Sequence, residues 1–137
     1  MYNRLLVMPV TYQIDRDGGF IETHCTGAVT LDEVLDHFHE LETDPKTPNR
    51  LDVLLDLDGM TTVPESQDLR EVTQAVKRLT GQVTFGSCAI VASRDVVFGM
   101  SRMFEVFAEG LFGRTHVFRE RRDAERWLAT ARSAGGA

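Results

Sequence analysis

Residues 10–132 predict one α/β domain, a small mixed sheet with parallel central strands flanked by helices, in the order β-β-α-β-α-β-α-β-α. Three observations point to it. Two strand-like runs, 10–16 and 19–26, are separated by Asp17-Gly18-Gly19, a hairpin signal. Beyond them, segments with apolar residues at helical spacing alternate with short runs of strand length. Two of those runs, LDVLLDLDG at 51–59 and SCAIVAS at 87–93, are almost continuously apolar, as strands covered on both faces are.

Each element has its own signal. Thr30-Leu31-Asp32-Glu33 is a capping box, in which hydroxyl and carboxylate satisfy backbone N–H groups that a helix start leaves free. The first helix carries Leu31, Val34, Leu35, Phe38 and Leu41 on its apolar stripe. Asp32, Glu33, Asp36, His37, Glu40 and Glu42 are expected on the wet face, and Pro45 and Pro48 end the element. A second helix spans about 63–79, with Thr62 as N-cap, Glu65 completing a second capping box and Gly81 just past the end. The third helix is the segment 96–112, THVF at 115–118 is a last strand, and Ala124, Trp127, Leu128 and Ala131 mark a closing helix. Residues 1–9 read as an N-terminal extension and 133–137 as a flexible tail.

A chain of 137 residues, 42% hydrophobic and 26% charged, is of a size and composition that builds a core without staples. Its formal net charge of −6 repels phosphate backbones, so nucleic acid is not expected as a partner. The basic cluster RERRDAER is interleaved with acids and reads as a solvated helix start. No apolar stretch is long enough for a membrane span, and the N-terminus lacks the pattern of a secretory signal. Cys25 and Cys88 fall in strands and read as buried free thiols, consistent with a cytoplasmic location.

The element order, together with LLDLDGMTTVPESQDL at 54–69, resembles the STAS superfamily, the domains of anti-sigma-factor antagonists and sulfate-transporter tails. Gly27, the run VVFGMSRMFE from Val96 and the terminal DAERWL are similar to its SpoIIAA-like group, which is related to lipid-binding CRAL-TRIO domains. The resemblance covers roughly residues 11–130 and is one of pattern, not of a catalytic signature. It implies a regulatory or protein-interaction module, or a carrier of an apolar small molecule. It also implies a phospho-acceptor at Ser66, in a loop with Asp56, Asp58, Thr61, Thr62 and Glu65. Two departures stand out: Asp68 where the family usually has glycine, and one extra residue around Pro64.

On its own physics, Ser66 lies in a first helical turn, where the helix dipole favours a phosphate and the neighbouring Glu65, Asp68 and Asp58 repel one. Asp56 and Asp58 share a strand face, yet no third carboxylate at a diagnostic spacing completes a metal site. His37 and His39 point to different helix faces and read as surface; His24 has the strand parity opposite to Cys25. There is no nucleophile elbow and no C-x-x-C. The expectation is a non-enzymatic domain with no cofactor and no metal.

The segment VVFGMSRMFEVFAEGLF at 96–112 has an apolar arc of about 200°, against the 100° or so that covers one sheet face. The surplus, with Phe98, Met100, Met103, Phe104, Phe107, Leu111 and Phe112, has three outlets: a neighbouring helix, a homodimer or other protein interface, or the wall of an apolar pocket. Self-association through this surface is the leading expectation, an apolar-ligand carrier the alternative, and an enzyme using Asp56 and Asp58 the least favoured.

Overall fold

The computed structural model describes residues 8–136, with side chains through Ser133. The extension expected at 1–9 therefore lies outside the described residues, apart from Met8 and Pro9. The elements are β1 (Val10–Asp15), β2 (Phe20–Gly27), α1 (Leu31–Thr43), β3 (Arg50–Met60), α2 (Ser66–Leu79), β4 (Thr84–Val91), α3 (Asp95–Phe107), β5 (Phe112–Phe118) and α4 (Arg121–Gly136). This is the predicted order. The strands form a five-stranded sheet in sequential order, β1 antiparallel to β2 and every other pair parallel.

Strand parity divides the sheet into two unlike faces. Ile21, Cys25, Leu51, Phe85, Cys88 and Ile90 meet α1, α2 and α3 on one face. Leu54, Ala89 and Val91 meet Ala124 and Leu128 of α4 on the other. The second cluster is small and tight: Ala89 and Ala124 are fully buried and lack bulk, so the helix seats close to the strands. Phe20, Phe118 and Trp127 close its edges.

Local chemistry explains the element starts, with two corrections. At α1 the predicted capping box forms, the Thr30 N–H donating to Glu33 Oε1 at 2.8 Å and the Glu33 N–H to Thr30 Oγ1 at 3.3 Å. The box expected at Thr62 and Glu65 does not. Helix α2 begins three residues later, with Glu65 as N-cap and its N–H donating to Asp68 Oδ2 at 3.1 Å. The Thr62 hydroxyl instead bridges to the Val29 backbone, donating to its carbonyl at 2.8 Å and accepting from its N–H at 3.1 Å. That use fits Pro64, two positions further on, which disfavours helical geometry at Val63.

Helix α3 is shorter than the segment 96–112: it ends at Phe107, and Phe112 already belongs to β5. The break is Gly110, whose φ of +89° is reached without strain only by glycine. At the other end of the chain, α4 runs to Gly136, into the stretch expected to be a tail. Ala131 and Ala134 are good helix formers, and no proline stops it.

Candidate functional site

A cavity of about 360 Å³ lies between the sheet and the α1–α3 layer. Its floor is Ile21, Thr23 and Cys25 of β2, Val53, Leu55 and Leu57 of β3, and Cys88 and Ile90 of β4. Its roof is Val34, His37 and Phe38 of α1, Leu69, Val72 and Val76 of α2, and Val97, Met100, Ser101 and Phe104 of α3. Strand β3 is the middle strand of the sheet, yet Val53, Leu55 and Leu57 are each only half-buried. A close-packed layer would bury them fully. Their accessible surface is cavity surface.

Thr30, Thr62, Val63 and Pro64 extend the wall past the C-terminal ends of β2 and β3, where ligand sites of parallel sheets form. Val63 lines the cavity and is also 39% exposed, which places a mouth at this end. Among the described residues Asp68 is the one carboxylate of the wall, and no lysine or arginine contributes to it. Thr23, Ser101 and His37 supply buried polar groups. Burial pushes the Cys25 thiol up to about 11, with the Asp56 charge adding, and the Cys88 thiol to about 12, with Glu105 adding. Both thiols are free and inert as nucleophiles at neutral pH.

His37 corrects the sequence reading most sharply. It was expected on the wet face of α1 and is 8% exposed, with Nδ1 lacking a hydrogen-bond partner among the described residues. Burial lowers its pKa to about 4, so the ring is neutral at pH 7. Its ring meets that of Tyr12 edge-on at 5.1 Å, and the Tyr12 hydroxyl donates to Asp44 Oδ2 at 2.8 Å. The signal was present in the sequence: Val34, His37, Phe38 and Leu41 stand at i, i+3, i+4 and i+7, the spacing of one buried stripe.

The surplus arc of α3 is divided among neighbours. Met100 and Phe104 join the cavity wall, as does Phe112 from β5. Met103 faces α2, its Sδ 3.5 Å from Ser66 Oγ, and Phe107 lies beneath the Arg70 guanidinium at 4.9 Å. Leu111 packs half-buried on the main core. Phe98 is not exposed: the Arg119 guanidinium covers its ring at 4.2 Å. Phe112 is half-buried too, its ring 5.1 Å from that of Phe85. The apolar side chains left exposed on α3 are Val96 and Val106, at 50% and 66%.

Several residues of the loop expected around Ser66 have partners elsewhere. Asp58 is bound across the strand ends to Ser93, whose N–H donates to its Oδ1 at 2.8 Å. Thr61 donates its N–H to the Gly27 carbonyl at 2.8 Å. Ser66 itself is exposed as the first residue of α2, with Asp68 in the same turn.

Asp56 joins a different cluster, on the α4 face. Arg121 donates to Glu22 Oε2 at 2.7 Å, to Asp56 Oδ2 at 3.2 Å and to Glu125 Oε2 at 3.0 Å, and His24 Nε2 stands 2.6 Å from the same Glu22 oxygen. Burial alone would raise the Glu22 carboxyl; the bonds from Arg121 and His24 outweigh it and hold the group below the usual range. Arg121, expected on a solvated helix start, is thus the hub of a network that consumes its own charges. Among the described residues, no group of three or more His, Cys, Asp or Glu is placed to share a metal ion.

No helix among the described residues is long and apolar enough to cross a membrane. No protein-family model matches the chain, and neither a curated protein nor a solved structure does.

Proposed function

We propose that this chain is a non-enzymatic binding domain that holds an apolar small molecule between its sheet and its three-helix layer, as a carrier or sensor. The observation that carries the reading is the hollow over β3: about 360 Å³ of space walled by aliphatic, aromatic and methionine side chains at the middle of the sheet. Small-molecule sites span roughly 300–1,000 Å³, so the space suits a compact ligand. A void of that size left empty costs dispersion contacts all along its lining, and an apolar occupant restores them. The resemblance to the SpoIIAA-like group, with its CRAL-TRIO relatives, carries the same expectation. Two buried, unpaired thiols support a reducing, cytoplasmic location.

Gentle purification from the producing cells followed by native mass spectrometry tests this. Extra mass that organic extraction removes and releases as an apolar compound is the expected result. Unliganded protein at every growth condition, together with no uptake of added apolar compounds, would overturn the reading.

Self-association is the second reading, and Val96 and Val106 favour it. They flank Gly99 on the outer side of α3, where a Cβ on that glycine would meet nothing within 4 Å. A Val106→Asp variant that separates a wild-type dimer into monomers in sedimentation would support this contact; a wild type already monomeric at high concentration would remove it.

A further inference from the structure

Resting on the carrier reading, we infer that the occupant is uncharged and bears one hydroxyl, which hydrogen-bonds to the imidazole of His37. A buried polar atom without a partner costs about 1–3 kcal/mol, and proteins pair nearly all of them. Among the described residues His37 Nδ1 is such an atom, on a side chain more than nine-tenths buried that belongs to the cavity wall. The residues around the ring do not answer it: the Tyr12 hydroxyl is committed to Asp44, and Phe38 offers only a ring at 5.3 Å. Rotation about the bond that carries the ring exchanges Nδ1 with a carbon, so either edge of the imidazole can be presented to an occupant.

The wall also decides the charge. Among the described residues no lysine or arginine lines it, so a carboxylate or phosphate inside would find no cationic partner there in a low-dielectric space. Asp68, the carboxylate of the wall, repels an anion further. A cation would have Asp68 as its one counter-charge in the wall, and that carboxylate is already engaged by the Glu65 N–H at 3.1 Å. A hydroxyl suits either tautomer, since it donates to a bare nitrogen and accepts from an N–H. Volume sets the size: a cavity of about 150 Å³ takes benzene, so this one takes roughly a dozen heavy atoms.

The test uses three probes of one chain length, decane, 1-decanol and decanoate, titrated into the wild type and His37→Leu by calorimetry. The imidazole nitrogens of His37 are followed in parallel by ¹⁵N NMR. Decanol is expected to bind about tenfold tighter than decane, the factor that one net hydrogen bond supplies. That advantage should vanish in His37→Leu, and the His37 nitrogen resonances should move with decanol and stay put with decane. If His37→Leu does not fold, the nitrogen shifts in the wild type decide alone. Equal affinity for decane and decanol, or an unmoved His37, overturns the inference and leaves the carrier reading standing. Decanoate binding tightest overturns the neutral headgroup. Binding of none of the three overturns the carrier reading, and the inference falls with it.

Discussion

The two faces of the sheet are built from the same strands and packed by opposite rules. Beneath α4, alternate residues of β3 and β4 offer Leu54, Ala89 and Val91, each 1% exposed or less, and Ala124 of the helix is also fully buried. Polar groups at that face are paired: Asp52 accepts from Arg132 at 2.7 Å and from the Ser87 N–H at 2.8 Å. Gly86 lets the chain come that close, since a Cβ there would collide with Asp52 Oδ1. Beneath α1–α3 the intervening residues Val53, Leu55 and Leu57 are larger on average, yet half-buried, and His37 has a nitrogen without a partner among the described residues. The face with the greater supply of apolar side chains is the one left hollow. Apolar content alone therefore does not fill a layer; three helices spread over five strands leave a gap that one helix seated on alanines does not.

Truncations on the two faces should separate most widely. Leu54→Ala opens a cavity in a closed cluster and is expected to cost about 3 kcal/mol, whereas Leu55→Ala widens an existing hollow and should cost about 1 kcal/mol. Urea unfolding of both variants measures the difference, and equal losses would break the contrast between the faces.

Acid should find the hollow face next. His37 has a pKa near 4 when folded against an ordinary 6.5, so between those values the unfolded chain binds more protons than the native one. Stability is then complete above about pH 6.5 and declines as pH falls toward 4, by an amount on the order of 3 kcal/mol. Chemical unfolding across this range should show the slope in the wild type and a flatter profile in His37→Phe. The Glu22 and Asp44 carboxyls, both held below the usual range, add their losses only at lower pH.

On the closed face, Arg132→Ala leaves the buried Asp52 with less than its full set of donors and should cost about 1–2 kcal/mol in the same assay. Adding salt should weaken that effect little, because Asp52 is buried. The smallest change is a gain: Val53→Leu puts one methylene into the hollow, worth at most about 0.8 kcal/mol of stability, while taking space from a ligand. Unchanged or lower stability would mean that the space above β3 is already full.

Much of this architecture is legible in the residues. The Asp-Gly-Gly turn, the Thr30 capping box and the apolar runs of β3 and β4 each act through local chemistry, so the element order follows from them. Boundaries set by long-range partners do not. Thr62 has the sequence of a cap, but its hydroxyl is committed to Val29, a residue 33 positions away, and the start of α2 moves to Ser66. Arg121 reads as one charge in a mixed run, and only the fold brings it to Glu22, 99 positions away. His37 is legible by its spacing on the apolar stripe, whereas residue type is uninformative, histidine being intermediate in burial. The hollow itself has no sequence signature, since helices that pack tightly and helices that leave a gap share the same apolar periodicity. The apolar surplus of α3 was the nearest signal; Met100 and Phe104 do reach the cavity wall.

Methyl-resolved NMR of the wild type titrated with 1-decanol reports on both faces of the sheet in one spectrum. Methyl resonances of Met100, Val53 and Leu55 should shift to saturation, while those of Leu54 and Leu128, on the far side of the same strands, stay where they are. Silence at Met100, Val53 and Leu55 up to the solubility limit, or equal shifts on both faces, would contradict a binding cavity between the sheet and the three-helix layer.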